Sequence, residues 1–203
     1  MVQAVTAAAL LVAALTTAGC FGFDFFGGNN VEPSIGNNVS AEAEGKDPAT
    51  LTEMFTREAT GELFTHGTFK ATLLDFALLK ARIVQRSNKE WWDPNKTKAE
   101  IRKLETDNLS FEAYVSGPSK YDGWGKYWKF VLVDSQRRRR APAVVDGEDT
   151  QPGWSQDKDT RVYYNYLTLH FPQYGVYETT KFIKLIGMSP TKDRYELVWN
   201  FVR

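Results

Sequence analysis

Alternating apolar and polar residues run through most of the chain after residue 60 and predict β-strands. Phe69, Ala71 and Leu73 alternate with polar residues, and further along Phe111 and Ala113 begin the same pattern. A period of two is typical of a strand that buries one face. We therefore predict a first strand within residues 63–74 and a second that begins at residue 109.

Later segments extend the pattern. The segment 161–171 places Asn165, Leu167 and Leu169 on one face, and Tyr164 and Tyr166 on the other. Gly, Pro and Asp-Gly turn signals separate short strands at regular intervals, which is typical of an antiparallel sandwich. The fold prediction is a mainly β protein, an antiparallel β-sandwich, with its other strands at residues 127–133, 141–145, 179–186 and 194–202.

A short helical insertion interrupts the strands. Asp75 is an N-cap residue, and apolar residues at helical spacing follow it, so we expect a helix over 75–87. Asp93-Pro94 predicts a second helix over 94–106. Thr50 and Glu53 fit a capping box for a short helix before the first strand. The polar segment 146–159 is predicted to be a loop.

The N-terminal segment predicts export. Residues 4–16 are apolar and uncharged, residues 17–19 are small, and Cys20 follows as the single cysteine of the chain. This order resembles the bacterial lipobox, which implies that residues 1–19 are a signal peptide. The resemblance also implies that Cys20 carries a diacylglycerol and a further acyl chain such as palmitate.

Two features of this leader leave other interpretations open. Residues 1–3 carry no Lys or Arg, and Thr17 stands where a lipobox typically has Leu. A plain secretory peptide or a short membrane anchor, each with a free Cys20, is therefore an alternative. On the lipoprotein interpretation the protein lies in the bacterial cell envelope, bound to the outer membrane through acylated Cys20, because two or more acyl chains anchor a protein stably.

A tether and one domain should follow the leader. Residues 29–48 are rich in Asn, Gly, Ser, Glu and Ala and offer little to bury, so residues 20–48 are predicted to be a lipid-anchored flexible tether. Residues 49–203 are predicted to form the β-sandwich domain. Residues 1–45 hold four acidic and no basic residues, which leaves 25 basic against 21 acidic residues in the remainder. That small excess does not indicate nucleic-acid binding.

Four short motifs stand out in the second half of the chain: YWKFVLVD at 127–134, RAPAV at 140–144, LTLHFP at 167–172 and ELVW at 196–199. Together they resemble those of a group of uncharacterised bacterial lipoproteins with a β-sandwich domain. The resemblance covers roughly residues 68–202. It implies an envelope location and a sandwich fold, and it brings no activity and no functional residues.

Five residues are candidate ligand contacts. Trp91, Trp92 and Trp124 fall in predicted loops, where aromatic rings can stack on sugars, although tryptophans more often pack as lids over a core. Arg138 and Arg139 belong to a run of four arginines that suits anionic lipid or polymer, although such a run is more often a solvated hairpin loop.

No recognisable motif indicates catalysis, a metal or a cofactor. The acidic residues within 146–159 match no calcium-loop spacing, although calcium binding by this segment stays an open alternative. His66 and His170 are each isolated in the sequence and belong to no catalytic motif. We expect a non-enzymatic envelope lipoprotein that presents loops or an edge strand to a protein partner. The alternatives are a carbohydrate- or polymer-binding sandwich that uses loop aromatics, and an enzyme that uses unplaced carboxylates.

Overall fold

The structure is a computed structural model that describes residues 43–60, 67–104, 108–147, 149–155, 160–172 and 180–201. The predicted signal peptide, Cys20 and most of the predicted tether lie outside the described residues. Within the described residues, no helix is long and apolar enough to cross a bilayer.

The elements confirm a mainly β chain with a short helical section near its start. The helices are α1 (Pro48–Phe55), α2 (Phe76–Lys89) and α3 (Pro94–Arg102), with a 3₁₀ turn at Gly125–Tyr127. The strands are β1 (Thr56–Thr60), β2 (Thr68–Leu73), β3 (Asn108–Gly117), β4 (Lys129–Asp134), β5 (Arg139–Arg140), β6 (Val144–Gly147), β7 (Gln151–Ser155), β8 (Thr160–Pro172), β9 (Phe182–Met188) and β10 (Arg194–Asn200).

Two antiparallel sheets make up the β structure, as the sandwich prediction requires. The larger sheet has the order β1-β2-β3-β8-β6, with β7 also paired to β8, and the smaller has the order β10-β9-β4-β5. β6 and β7 lie along the same side of β8. Gly147 is opposite Leu167 whereas Gln151 is opposite Tyr164, so one extra residue is inserted between the two pairings. β6 and β7 are therefore two separate strands of one interrupted edge, which pair with β8 one residue out of step.

The core lies between the two sheets. On β3, Phe111, Ala113 and Val115 are buried, and the same alternation buries the odd-numbered residues of β2 and the C-terminal half of β8. From the smaller sheet, Trp199 packs against Phe111 with ring centroids 5.1 Å apart. The Trp199 indole N–H also donates a hydrogen bond to the carbonyl oxygen of Phe55 at 2.7 Å, which ties the end of α1 to β10.

Aspartates cap all three helices. The carboxylate of Asp75 accepts a hydrogen bond from the amide of Ala77 at 2.8 Å, and that of Asp93 accepts one from the amide of Asn95 at 2.6 Å, so both predicted starts are confirmed. α3 ends at Arg102, earlier than predicted. The capping box at Thr50 is wrong: Asp47 caps α1 through the amide of Ala49 and Pro48 occupies the first turn, a position where a missing N–H costs nothing.

Other boundaries also differ from the sequence-based prediction. The folded region begins before residue 49, because Ala43 is already buried in the core cluster. The segment predicted as a loop from residue 146 contains β7 and the end of β6, and the strand predicted at 141–145 lies instead at Val144–Gly147. β1 was not predicted, because Thr56–Thr60 carries little apolar character; it forms through its pairing with β2.

Candidate functional site

The outer face of the larger sheet holds a cleft of about 950 Å³. The smaller sheet covers the inner face, so the side chains that alternate with the core residues point away from it. The cleft crosses the strands from β1 to β6. Its lining combines hydroxyls, carboxylates, two tyrosines and one lysine: Glu58, Thr68, Lys70, Thr72, Glu112, Ala113, Tyr114, Asp146, Gly147, Tyr166, Leu167 and Thr168.

Strand register explains why these polar residues come together. Thr72, Glu112, Thr168 and Asp146 are successive partners across β2, β3, β8 and β6, so they form one row on one face. Residues directly opposite each other in antiparallel strands have Cβ atoms about 5 Å apart. This row therefore places the Glu112 carboxylate on one side of the Thr168 hydroxyl and the Asp146 carboxylate on the other.

Three tyrosines form the aromatic part of this face. Tyr114 and Tyr166 are directly opposite each other, with ring centroids 5.3 Å apart, and Tyr164 packs on both at 5.9 Å. The Tyr166 side chain is 64% exposed. Burial raises the pKa of the Tyr114 hydroxyl above its usual value and outweighs the hydrogen bond with Ser116, which lowers it; Tyr166, Tyr164 and Glu58 also act to raise it. Tyr114 therefore stays a neutral hydrogen-bond donor at physiological pH.

Ion pairs occupy two of the three carboxylates of the cleft. Arg82 of α2 makes a bidentate pair with Glu112, with N–O distances of 2.6 and 2.9 Å. Lys70 lies 3.8 Å from a carboxylate oxygen of Glu58. Asp146 has no ion-pair partner among the described residues. Its carboxylate is thus available to a ligand.

A serine–histidine pair lies one row beyond the carboxylates. The Ser110 hydroxyl and Nδ1 of His170 are 2.8 Å apart on β3 and β8. Among the described residues no carboxylate forms a hydrogen bond with His170, so nothing there would orient the imidazole and stabilise its cation as a hydrolase triad requires. The geometry therefore offers a hydrogen-bonding pair at the margin of the cleft.

Trp91 and Trp92, two of the predicted contacts, lie at the junction of α2 and α3, away from the cleft lining. Trp91 is 92% exposed and has a positive φ of 54°. Trp92 is held by its own neighbours: its indole N–H donates to Glu90 at 2.8 Å, and the Lys96 ammonium lies 4.0 Å from the ring centroid. A ligand could reach the Trp91 ring without rearrangement, whereas the Lys96 ammonium already contacts the Trp92 ring.

Trp124 belongs to a separate cluster between β3 and β4. It stacks on Tyr127 at a centroid distance of 5.5 Å and meets the edge of Tyr121 at 5.9 Å, and the Lys126 ammonium lies 4.3 Å from its centroid. Within the described part of the chain, this cluster makes no ring contact with Trp91 or Trp92. The structure therefore does not unite the three predicted tryptophans in one platform.

Arg138 and Arg139 have different environments. Nε of Arg138 donates to Oδ2 of the buried Asp134 at 2.6 Å, and its amide donates to Oδ1 at 3.0 Å. Arg139 is exposed on β5, where it pairs with Val133. The segment 139–140, predicted as a hairpin loop, is a short strand. Arg138 thus has a clear structural role, and Arg139 is free to meet solvent or a ligand.

The described residues contain no group of three or more His, Cys, Asp or Glu side chains that could hold a metal ion. From the acidic segment predicted as a loop, Glu148, Asp157 and Asp159 lie outside the described residues. The calcium question therefore stays open for that segment.

No protein-family model matches this chain, and comparisons with curated proteins and solved structures find no significant match. The resemblance to uncharacterised bacterial lipoproteins therefore stays a prediction. Sequence reasoning missed the cleft because it looked for ligand contacts in loops. The signal that could have found it is the pair Tyr164 and Tyr166 of β8, which alternation had already placed on the face opposite Leu167 and Leu169.

Proposed function

We propose that this protein is a non-enzymatic, lipid-anchored module of the bacterial envelope whose domain binds a saccharide chain across the outer face of its larger sheet. One observation carries the proposal: the cleft joins an exposed tyrosine cluster to a row of hydroxyl and carboxylate groups. Sugar rings have apolar C–H faces that pack on aromatic rings and hydroxyls that bond to such polar groups.

The size of the cleft favours a chain over a single sugar. It reaches from β1 to β6, which are four strand spacings of about 4.8 Å apart, or roughly 19 Å. Its volume of about 950 Å³ is at the upper end of the range of about 300–1,000 Å³ for small-molecule sites. Its open form suits a ligand that continues beyond the protein on both sides.

Affinity electrophoresis in gels that contain hydroxyethyl cellulose, galactomannan or glycol chitosan tests the binding function. We expect at least one polymer to retard the domain of residues 43–203. Y166A should lose most of that retardation, because removal of an aromatic ring that stacks on a ligand weakens binding by up to about tenfold. W91A is the matched control, since Trp91 is also an exposed aromatic residue and lies outside the cleft. Equal losses in both variants, or no retardation by any polymer, would reject the proposal.

The anchoring half of the proposal rests on the apolar leader, the small residues 17–19 and Cys20. In a bacterial host, we expect radiolabelled palmitate to enter the wild-type chain and not C20A, and globomycin to block removal of the leader. A wild-type chain that takes up no label contradicts a lipid on Cys20 and leaves the saccharide proposal untouched.

A protein partner on the outer edge of β6 and β7 is the second candidate function. Val144, Val145 and Trp154 are exposed along this edge, and Trp154 is 69% exposed. Exposed apolar and aromatic side chains of this kind suit a side-chain contact with a partner, whereas the offset between β6 and β7 and Pro152 disfavour strand addition. A photo-crosslinking residue at position 154 should then capture one defined envelope protein, and the same residue at position 91 should not. Identical or absent products at the two positions would reject this candidate.

A further inference from the structure

The charged side chains in and beside the cleft limit the kind of polymer that the cleft can bind. Glu58, Glu112 and Asp146 contribute three carboxylates, against the two cations Lys70 and Arg82. Both cations already have carboxylate partners. An acidic polymer would therefore meet an excess of negative charge with no free cation among the described lining residues, which disfavours its binding.

The position of Asp146 beside the tyrosines adds a specific recognition element. Asp146 is directly opposite Thr168, and Tyr166 lies two residues along β8 on the same face. Such diagonal neighbours have Cβ atoms within about 7–8 Å. A small cation can then contact the carboxylate while it remains within about 6 Å of the exposed ring, which is the range of a cation–π interaction.

We propose that the cleft prefers a polysaccharide with free amino groups, and that Asp146 and Tyr166 together bind an ammonium group of that chain. This inference rests on the proposed saccharide-binding function and names its substrate class. The carboxylate supplies a charge-assisted hydrogen bond, and the tyrosine ring supplies the cation–π contact and packs on the sugar ring. Asp146 is then the specificity-determining residue, because a neutral sugar hydroxyl can bond to any polar group of the row, whereas an ammonium group gains most from the unpaired negative charge.

Glycol chitosan and the same polymer after N-acetylation test this inference, because they share one backbone and differ in charge. The measurement is made at about pH 6, where much of the polymer amine is protonated. We expect the domain to bind the free-amine polymer about tenfold more tightly than the acetylated one, and D146N to lose that preference. Binding of the acetylated polymer should change little in D146N.

D149N is the matched control, since Asp149 is an exposed acid beside the same edge that does not line the cleft. It changes the net charge as D146N does, so an equal loss in both variants would mean general attraction to a cationic polymer and would overturn the inference. Equal affinity of the wild-type domain for the two polymers would also overturn it, and saccharide binding would stand. If Y166A bound both polymers as wild type does, the proposed function itself would fail.

Discussion

Arg138 and Asp134 form a partly buried ion pair that closes the turn between β4 and β5. The Asp134 side chain is 3% exposed, and its two oxygens accept hydrogen bonds from the amides of Gln136 and Arg138 and from the Arg138 guanidinium. An uncompensated buried carboxylate is costly, because it loses hydration without gaining a partner. This pair therefore gives the arginine run a structural function at one of its four positions.

The two candidate arginines should respond differently to truncation. We expect R138A to lower the free energy of unfolding by about 1–3 kcal/mol, since it leaves Asp134 buried without its cation. R139A should change it by less than about 0.5 kcal/mol, because that side chain is exposed. Urea unfolding at neutral pH measures both. Similar losses in the two variants would contradict the assigned role of Arg138.

Acid should weaken the domain through Asp134. Burial acts to raise the pKa of this carboxyl, but hydrogen bonds from the amide and guanidinium of Arg138, with the charge of Arg138, outweigh it and hold the pKa below the usual value of 3.8. The unfolded state then binds a proton first, so the stabilisation is present above pH 3.8 and is lost as pH falls through the folded-state pKa.

Urea unfolding of wild type and D134N at several pH values tests whether the stabilisation by Asp134 is lost in acid. D134N should be less stable than wild type at neutral pH, and the gap should narrow in acid. A gap that stays constant from neutral pH down to about pH 3 would show that Asp134 does not contribute in this way.

Asp122 should have the opposite pH dependence. It is 2% exposed, and Oδ1 has no hydrogen-bond partner in the described structure, while Oδ2 accepts one from the amide of Ser119. Burial raises the pKa of this carboxyl above 3.8. The folded state therefore holds its proton more tightly than the unfolded state, and Asp122 costs stability as pH rises from 3.8 through the raised pKa.

D122N removes this ionisation and keeps an oxygen acceptor for Ser119. We expect the stability of D122N relative to wild type to improve between about pH 4 and pH 7, as followed by urea unfolding. Loss of relative stability by D122N over this range would contradict a raised pKa for Asp122.

Trp199 should carry a large part of the stability, because it joins both sheets to α1. W199F keeps a ring in the core but removes the hydrogen bond to the Phe55 carbonyl and leaves a gap, so we expect a loss of about 2–4 kcal/mol in the free energy of unfolding. The same change at the exposed Trp154 should cost less than about 0.5 kcal/mol. A loss at Trp199 as small as that at Trp154 would contradict the structure of this core contact.

Alternation predicted the sandwich well because burial of one face leaves a period of two in each central strand. The pattern of Phe111, Ala113 and Val115 is an example. β1 and β7 were not predicted because a strand that buries little surface shows no such alternation. β1 is held in place by its neighbour β2, through backbone hydrogen bonds and a 2.7 Å contact between the Thr56 and Thr72 hydroxyls. Such tertiary pairing leaves no local signal.

The candidate site was harder to predict than the fold. Alternation separates Tyr166 from Leu167 but does not say which face of the sheet the second sheet covers, nor which strands lie side by side. Glu112 and Asp146 are distant in sequence and become neighbours only through the order β3-β8-β6. Tryptophans in predicted loops were the predicted ligand contacts because loop residues are usually exposed. The exposed aromatic surface of the cleft lies on strands instead.

The interruption between β6 and β7 bears on whether neighbouring copies could join along this edge. A straight, unpaired strand is a template on which a second molecule can extend a sheet, and lipid anchoring would bring many such edges to high local density. Here β6 and β7 pair with β8 one residue out of step, and Pro152 on β7 has no amide hydrogen. Both features disfavour the extension of a sheet from one copy to the next along this edge.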